Sequence, residues 1–144
     1  MQMIMTIEGS LEVRKALQDL GDRAVPAMRA ALYEEANSLL NEADALVPRD
    51  TENLAGSKFQ TESQDAEAVA VTVGYGGSAA PYALAVHENP RSGKTGGLSP
   101  SGKPYKHWAG VGQWKYLETP FKARTLGFLS RIARSLQQTL LKGR

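Results

Sequence analysis

One apolar stripe constrains the fold of this chain more than any other sequence feature. Between residues 25 and 46, apolar side chains recur at three- and four-residue spacing, which places them along one side of an α-helix. Its members are Val25, Met28, Leu32, Ala36, Leu39, Ala43 and Leu46. We expect Pro26 to lie in the first turn, where a missing backbone N–H is tolerated. We expect Val47-Pro48 to end the helix, because a residue before proline avoids the α region.

Shorter elements are predicted before this helix. Residues 3–8 form a β-prone run that is suited to an edge strand, and Gly9 interrupts it. Ser10 can then cap a helix over residues 11–20, which Gly21-Asp22 closes. The N-terminal part is therefore expected to hold one strand and two separate helices.

A small antiparallel sheet is predicted after the long helix. Residues 50–53 are rich in turn formers, and residues 54–62 indicate a weak first strand. Val71 and its alternating neighbours indicate a strand that is buried on one face. Residues 63–67 turn the chain between these two strands, and residues 82–86 can add a third short strand. Helices combined with antiparallel strands predict the α+β class.

The C-terminal residues 118–141 predict one long amphipathic helix that packs on the sheet. Its apolar side contains Phe121, Phe128, Leu129, Ile132, Leu136 and Leu140. Gly127 weakens its centre by about 1 kcal/mol relative to alanine. A different side carries cationic residues, namely Arg124, Arg131 and Lys142, with Arg134 nearby.

Length and composition limit the classes of protein that this chain can belong to. Its 144 residues fit one domain over residues 1–144. Without cysteine there is no disulfide framework and no cysteine-based zinc site, and two histidines leave little material for a metal centre. No apolar run approaches the length of a membrane span. The N-terminus lacks the layout of a secretory signal, which predicts synthesis in the cytoplasm.

The small net charge of +2 hides a strong asymmetry along the chain. Residues 1–88 contain fourteen acids and six bases, whereas residues 89–144 contain one acid and eleven bases. This split indicates either a polyanionic partner or like subunits that meet acidic half to basic half. The alternative is that both halves are simply solvated surfaces.

A basic stretch rich in glycine and proline lies between the sheet and the last helix. Residues 89–117 contain no acid and five bases, namely Arg91, Lys94, Lys103, Lys106 and Lys115. A long segment without secondary structure inside a small domain is usually functional or disordered. We therefore expect an extended loop or hairpin arm over about residues 89–112, either ordered by a partner or a plain insert.

Enzymatic motifs in this stretch are incomplete. Gly93-Lys94-Thr95 resembles the end of a phosphate-binding P-loop, but Glu88 stands where the first glycine belongs and no helix can start readily afterwards. His87-Glu88 lacks the second histidine of a zinc-protease motif. No serine lies in a nucleophile elbow. Tyr105, Trp108 and Trp114 could stack on nucleic acid bases, or could equally pack the arm onto the domain.

Three other stretches of the sequence, taken together, form a recognisable pattern. They are residues 47–57, residues 75–88 and residues 114–120. In this order and at this spacing they resemble a phage neck and tail-component family of the siphophage type, over about residues 24–141. The motif residues are Pro48, Asp50, Thr51, Leu54, Tyr75, Gly76, Pro81, Tyr82, His87, Glu88, Leu117 and Pro120.

Two positions depart from that family pattern. Glu52 stands where the family has a turn glycine, and Ala55 stands where it has an arginine. Because glutamate disfavours a positive φ angle, we expect Asn53 to take the left-handed conformation if the turn is kept.

The resemblance implies a non-enzymatic virion protein that forms part of a ring at the phage head–tail junction. It implies other neck, connector or tail proteins as partners, with no cofactor and no membrane contact. Subunits in a ring present two different faces, which suits the charge asymmetry. Candidate contacts to neighbouring subunits or packaged DNA are Arg91, Lys94, Lys103, Lys106, Arg124, Arg131 and Arg134. The alternative function is a stand-alone nucleic-acid-binding module.

Overall fold

The computed structural model describes residues 11–49, 52–62, 69–93 and 111–142. Along these residues the elements are α1 (Leu11–Leu46), α2 (Asn53–Gly56), β1 (Lys58–Glu62), β2 (Val71–Tyr75), α3 (Ala83–Glu88), α4 (Glu118–Thr125) and α5 (Phe128–Leu141). A long helix and a small antiparallel sheet give the expected α+β class. The predicted strand at residues 3–8, the turn at 63–67 and residues 94–110 of the predicted arm lie outside the described residues.

Helix α1 is one continuous helix of 36 residues, so the prediction of two helices was wrong. Gly21 does not end it, and Pro26 lies in its interior and not in its first turn. Interior glycine and proline cost about 1 and about 3 kcal/mol, and packing on α5 offsets that cost. Helix α5 runs antiparallel to α1, and Arg23 Nη1 donates to the carbonyl oxygen of Leu140 at 3.4 Å.

The predicted apolar stripe of α1 does face the rest of the protein. Ala36, Leu39 and Ala43 are buried, whereas Val25 at the start of the stripe is exposed. The helix ends at Leu46 as expected, and the side chains of Val47 and Pro48 behind it are fully buried. From Ala27 onwards, α1 therefore contributes buried side chains to the core.

The first predicted strand is shorter than expected. Residues 53–56 form α2, and only Lys58–Glu62 form β1. The helical turn forms because Leu54 and Ala55 pack into the core, and the Ser57 hydroxyl donates to the Leu54 carbonyl oxygen at 2.6 Å. Strand β2 forms as predicted and pairs antiparallel with β1, with Lys58 opposite Tyr75 and Glu62 opposite Val71.

The third predicted strand was wrong, because residues 83–88 form helix α3. The run contains small apolar residues whose spacing fits either structure. Burial decides between the two, since Ala83 and Val86 lie three residues apart and both enter the core. The buried Ser92 hydroxyl then donates to the Val86 carbonyl oxygen at 2.6 Å and holds the end of α3.

The C-terminal segment forms two helices where one was predicted. Leu126 is extended and Gly127 has a φ of +73°, which separates α4 from α5. Arg131 stabilises this break by donating to the Arg124 and Leu126 carbonyl oxygens. Ile132 is buried as predicted, but Leu129 is 79% exposed. Among the described helices, none combines the length and apolar character that a membrane span requires.

The two ends of the predicted arm meet beside the end of α1. A Cβ atom on Gly112 would lie 2.5 Å from the backbone nitrogen of Pro48, and one on Gly93 would lie 2.1 Å from the Gly112 carbonyl oxygen. Gly93 and Gly112 therefore lie side by side, although 18 residues separate them along the chain.

This close approach predicts a large effect of Gly112→Ala. Gly112 and Gly77 both have a φ of +89°, but nothing lies within 4 Å of a Cβ atom on Gly77. We expect Gly77→Ala to lower the free energy of unfolding by about 1 kcal/mol through backbone strain alone. Gly112→Ala should add about 1–3 kcal/mol of overpacking. Urea unfolding followed by circular dichroism measures both, and equal losses would contradict the contact.

Candidate functional site

The three stretches that carry the family resemblance meet around Tyr116. Its ring lies edge-on to Tyr75 at 5.3 Å and to His87 at 5.0 Å between ring centroids. Its hydroxyl donates to the Ala83 carbonyl oxygen at 3.0 Å. Val47 and Leu54 from the first stretch pack in the same buried cluster. We call this convergence the Tyr116 junction.

Backbone hydrogen bonds join the same stretches. The Gln113 N–H donates to the Leu46 carbonyl oxygen and the Lys115 N–H donates to the His87 carbonyl oxygen, each at 2.8 Å. The Gly76 N–H donates to the Ser57 hydroxyl at 3.0 Å. Burial raises the pKa of Tyr116 to about 12, so its hydroxyl stays protonated and remains a donor at neutral pH. The junction is therefore held by both packing and directed bonds.

The turn at the start of the first stretch corrects one prediction. Glu52 itself has a φ of +65°, where we expected Asn53 to take the left-handed conformation. Its carboxylate pairs with Arg49, and its carbonyl oxygen accepts the Gly56 N–H at 2.8 Å. These bonds offset the strain of a non-glycine residue at this angle. Asp50 and Thr51 lie outside the described residues.

A charged cluster lies beside the junction. The Lys115 ammonium contacts Glu88 and Glu118, each at 2.7 Å. The His87 Nδ1 atom lies 2.7 Å from Glu88, and the Glu118 N–H lies 3.4 Å from His87 Nε2. Hydrogen bonds from Lys115 and then Lys122 lower the pKa of Glu118 to about 2. A hydrogen bond from Lys115 also lowers the pKa of Glu88, and Glu118 raises the pKa of Lys115.

The same cluster is the part of the described chain that could hold a cation. Ligand atoms of His87, Glu88 and Glu118 all lie within 4.8 Å of one another. The Lys115 ammonium already lies between the two carboxylates, however, and would have to leave before a metal ion could bind. The arrangement therefore favours a structural ion-pair cluster.

A second charged cluster binds α4 and α5 to α1. The Glu35 carboxylate accepts two hydrogen bonds from Arg124 at 3.0 Å, and two from Arg131 at 2.8 and 3.0 Å. Arg124 also pairs with Glu42. The hydrogen bond from Arg131 is the main reason that the pKa of Glu35 is lowered. We call this set the Glu35 clamp.

The Glu35 clamp pairs part of the basic side of the C-terminal helices within the chain. The predicted contact residues Arg124 and Arg131 do lie together, but they bind acids of their own chain. Sequence reasoning did not select Glu35, although an acid three residues after Leu32 and four before Leu39 interrupts the apolar stripe. An acid on an apolar stripe indicates a buried partner.

The remaining predicted residues are more dispersed. Arg91 and Arg134 are exposed, as are Pro81 and Tyr82 at the start of α3. Leu117 packs against the junction, and Pro120 is buried in the first turn of α4, where proline is tolerated. Lys94, Lys103 and Lys106 lie outside the described residues.

An open apolar groove of about 720 Å³ lies between α1, β2, α4 and α5. Its walls include Leu32, Leu39, Val71, Val73, Phe121 and Phe128. The Glu35 clamp and the Lys115 cluster contribute Glu35, Arg124, His87 and Glu118 to its lining. The groove is thus an apolar surface with charged groups of both signs at its margin.

The Glu35 clamp predicts that Glu35→Gln lowers the free energy of unfolding by about 1–3 kcal/mol, because charge-assisted hydrogen bonds are lost. The matched control is Glu34→Gln on the same helix, where an exposed side chain makes only a 3.5 Å contact with Ser135. That variant should change stability by less than about 0.5 kcal/mol. Similar losses in urea unfolding of the two variants would contradict the clamp.

The Lys115 cluster predicts acid sensitivity. The pKa of Glu118 falls from 4.5 to about 2 in the folded chain, so its stabilising effect is present above pH 4.5 and is lost as the pH falls through about 2. Lys115→Met should flatten this acid limb of the stability profile, and Lys122→Met should flatten it less. Urea unfolding between pH 2 and 6 measures the profiles. Identical acid limbs in Lys115→Met and the unchanged chain would contradict the assignment.

The Tyr116 junction, the two charged clusters and the groove define the candidate site. Each joins residues from the first and second halves of the chain. In comparisons with family models, curated proteins and solved structures, no match was found.

Proposed function

We propose that this chain is a structural virion protein of a tailed bacteriophage, a subunit of the head–tail connector or tail-completion ring. The observation that carries the proposal is the Tyr116 junction. Stretches that resemble one family are separated along the chain, yet they meet in a single core and are joined by directed hydrogen bonds. This convergence supports the view that they form one inherited structural unit rather than a set of chance matches.

The exposed apolar surface is a second support. Leu126 is 80% exposed, Leu129 is 79% exposed and Phe121 is 57% exposed. Leu126 lies at the α4–α5 break and Leu129 in the first turn of α5, whereas Phe121 lies in α4 and lines the groove. Clustered apolar exposure of this kind marks surfaces that become buried on association. In a ring, contact with neighbouring subunits buries these exposed side chains.

The base of the arm is a third support. Gly93 packs against Gly112, and Gly112 packs against Pro48, next to the Tyr116 junction. The arm sequence therefore begins and ends beside the core. In the proposed ring its basic residues reach a neighbouring subunit, another ring or packaged DNA at the head–tail junction.

The alternative of a stand-alone nucleic-acid-binding module is less well supported. Such a module needs a basic surface that is free to contact phosphates. Arg124 and Arg131 are engaged by Glu35, which removes two of the candidate cations from that surface. The proposal likewise gives no catalytic role to His87 and Glu88, whose polar atoms are committed to Lys115 and Glu118.

The test replaces Arg91, Lys94, Lys103 and Lys106 with serine in one variant. We expect the free energy of unfolding to stay within about 0.5 kcal/mol, while the number of heads joined to tails in electron micrographs falls to background. The control replaces the exposed residues Lys15 and Lys142 with serine and should join heads and tails normally.

Two outcomes would overturn the proposed role of the arm. The first is normal joining by the serine variant. The second is a monomeric protein whose DNA affinity falls steeply with salt, with a salt slope that decreases by about one for each base removed. That result would favour the nucleic-acid-binding module.

A further inference from the structure

Among the described residues the sheet has two strands, and the groove opens onto it. Val71, Thr72 and Val73, three consecutive residues of β2, line it. Successive side chains of a strand point to opposite faces, so lining by three in a row means that the groove meets the edge of β2. The opposite edge of β2 pairs with β1.

A strand edge beside an apolar groove can accept another strand. Two-stranded sheets are marginal by themselves, and an unpaired edge offers its backbone N–H and C=O groups to an added segment. Such strand addition obtains affinity from main-chain hydrogen bonds and specificity from alternate side chains. The occupant that fits is an extended segment with apolar residues at every second position.

Residues 3–7, with the sequence Met-Ile-Met-Thr-Ile, have this pattern. Met3, Met5 and Ile7 share one face of an extended strand, and Ile4 and Thr6 share the other. The first face suits an apolar wall of the kind formed by Leu32, Leu39 and Phe121. The second suits the side of β2 on which Thr72 is exposed.

This segment cannot reach the groove of its own chain. Helix α1 is unbroken from Leu11, and the groove begins near Leu32. At 1.5 Å per residue, that distance along the helix is about 32 Å. Even fully extended, the chain from Leu11 back to Met3 spans at most about 29 Å.

We propose that residues 3–7 of one copy add to the β2 edge of a neighbouring copy and fill its groove. The contact joins two different surfaces, so its repetition produces a closed ring or an open filament. It deepens the proposed function and rests on it, since it names the interface between ring subunits. The partner is a second copy of this chain.

Cross-linking tests the contact directly, because the chain has no cysteine. Thr6→Cys combined with Thr72→Cys places one thiol on the segment and one on the groove edge. A short bismaleimide should then link separate chains into dimers and longer ladders on a denaturing gel. The matched control combines Thr6→Cys with Ser78→Cys, which is exposed and outside the groove lining, and should give at least tenfold less product.

Linking within one chain, or no linking above the control, would overturn the strand exchange. Light scattering of the same protein before linking separates this failure from failure of the proposed function. A multimeric mass without cross-links overturns the strand exchange alone. A mass of one 15.5 kDa chain overturns both.

A second variant keeps the test independent of cysteine chemistry. Met5→Asp introduces a charge on the apolar face of the segment. We expect its mass in solution to fall to that of one chain, and its thermal unfolding to remain cooperative. An unchanged multimeric mass would overturn the proposal.

Discussion

Burial of the Tyr116 ring is the interaction on which the rest of the structure depends. Tyr116 follows the arm, yet it packs between Tyr75 and His87 and donates to the carbonyl oxygen of Ala83. The hydrogen bonds of Gln113 and Lys115 to the end of α1 and to α3 follow from that position. Without the ring, the arm base, the Lys115 cluster and the start of α4 would have no common point of attachment.

The Glu35 clamp explains part of the charge asymmetry without a partner. The acidic first half and the basic second half meet inside the chain, where Arg124 and Arg131 hold α4 and α5 against α1. These bonds also fix the α4–α5 break and so determine the outer wall of the groove. Among the described residues, exposed bases such as Arg91 and Arg134 remain available for intermolecular contact.

Sequence patterns predicted the α+β class, the α1 stripe and β2, because each depends on a local period. They did not predict the continuity of α1 across Gly21 and Pro26, since packing elsewhere along α1, including the buried Ala27 and Ala31, offsets the low helix propensity of those two residues. The short run that forms α3 fits the residue spacing of a helix and that of a strand, and only the burial of its side chains distinguishes the two structures. The motif stretches contribute Tyr75 and His87 to the Tyr116 junction, but their meeting around Tyr116 was not predicted. The Glu35 clamp joins residues 89 and 96 positions apart, which no local signal relates.

The central claim is that this chain is a ring subunit. A neighbouring subunit fills its groove, and its arm contacts a neighbour. Electron microscopy of the purified full chain tests that claim most directly, because class averages distinguish closed assemblies from single molecules. The account predicts closed rings with rotational symmetry around a central channel. Particles of single-chain size at every protein concentration, or open filaments that never close, would contradict it.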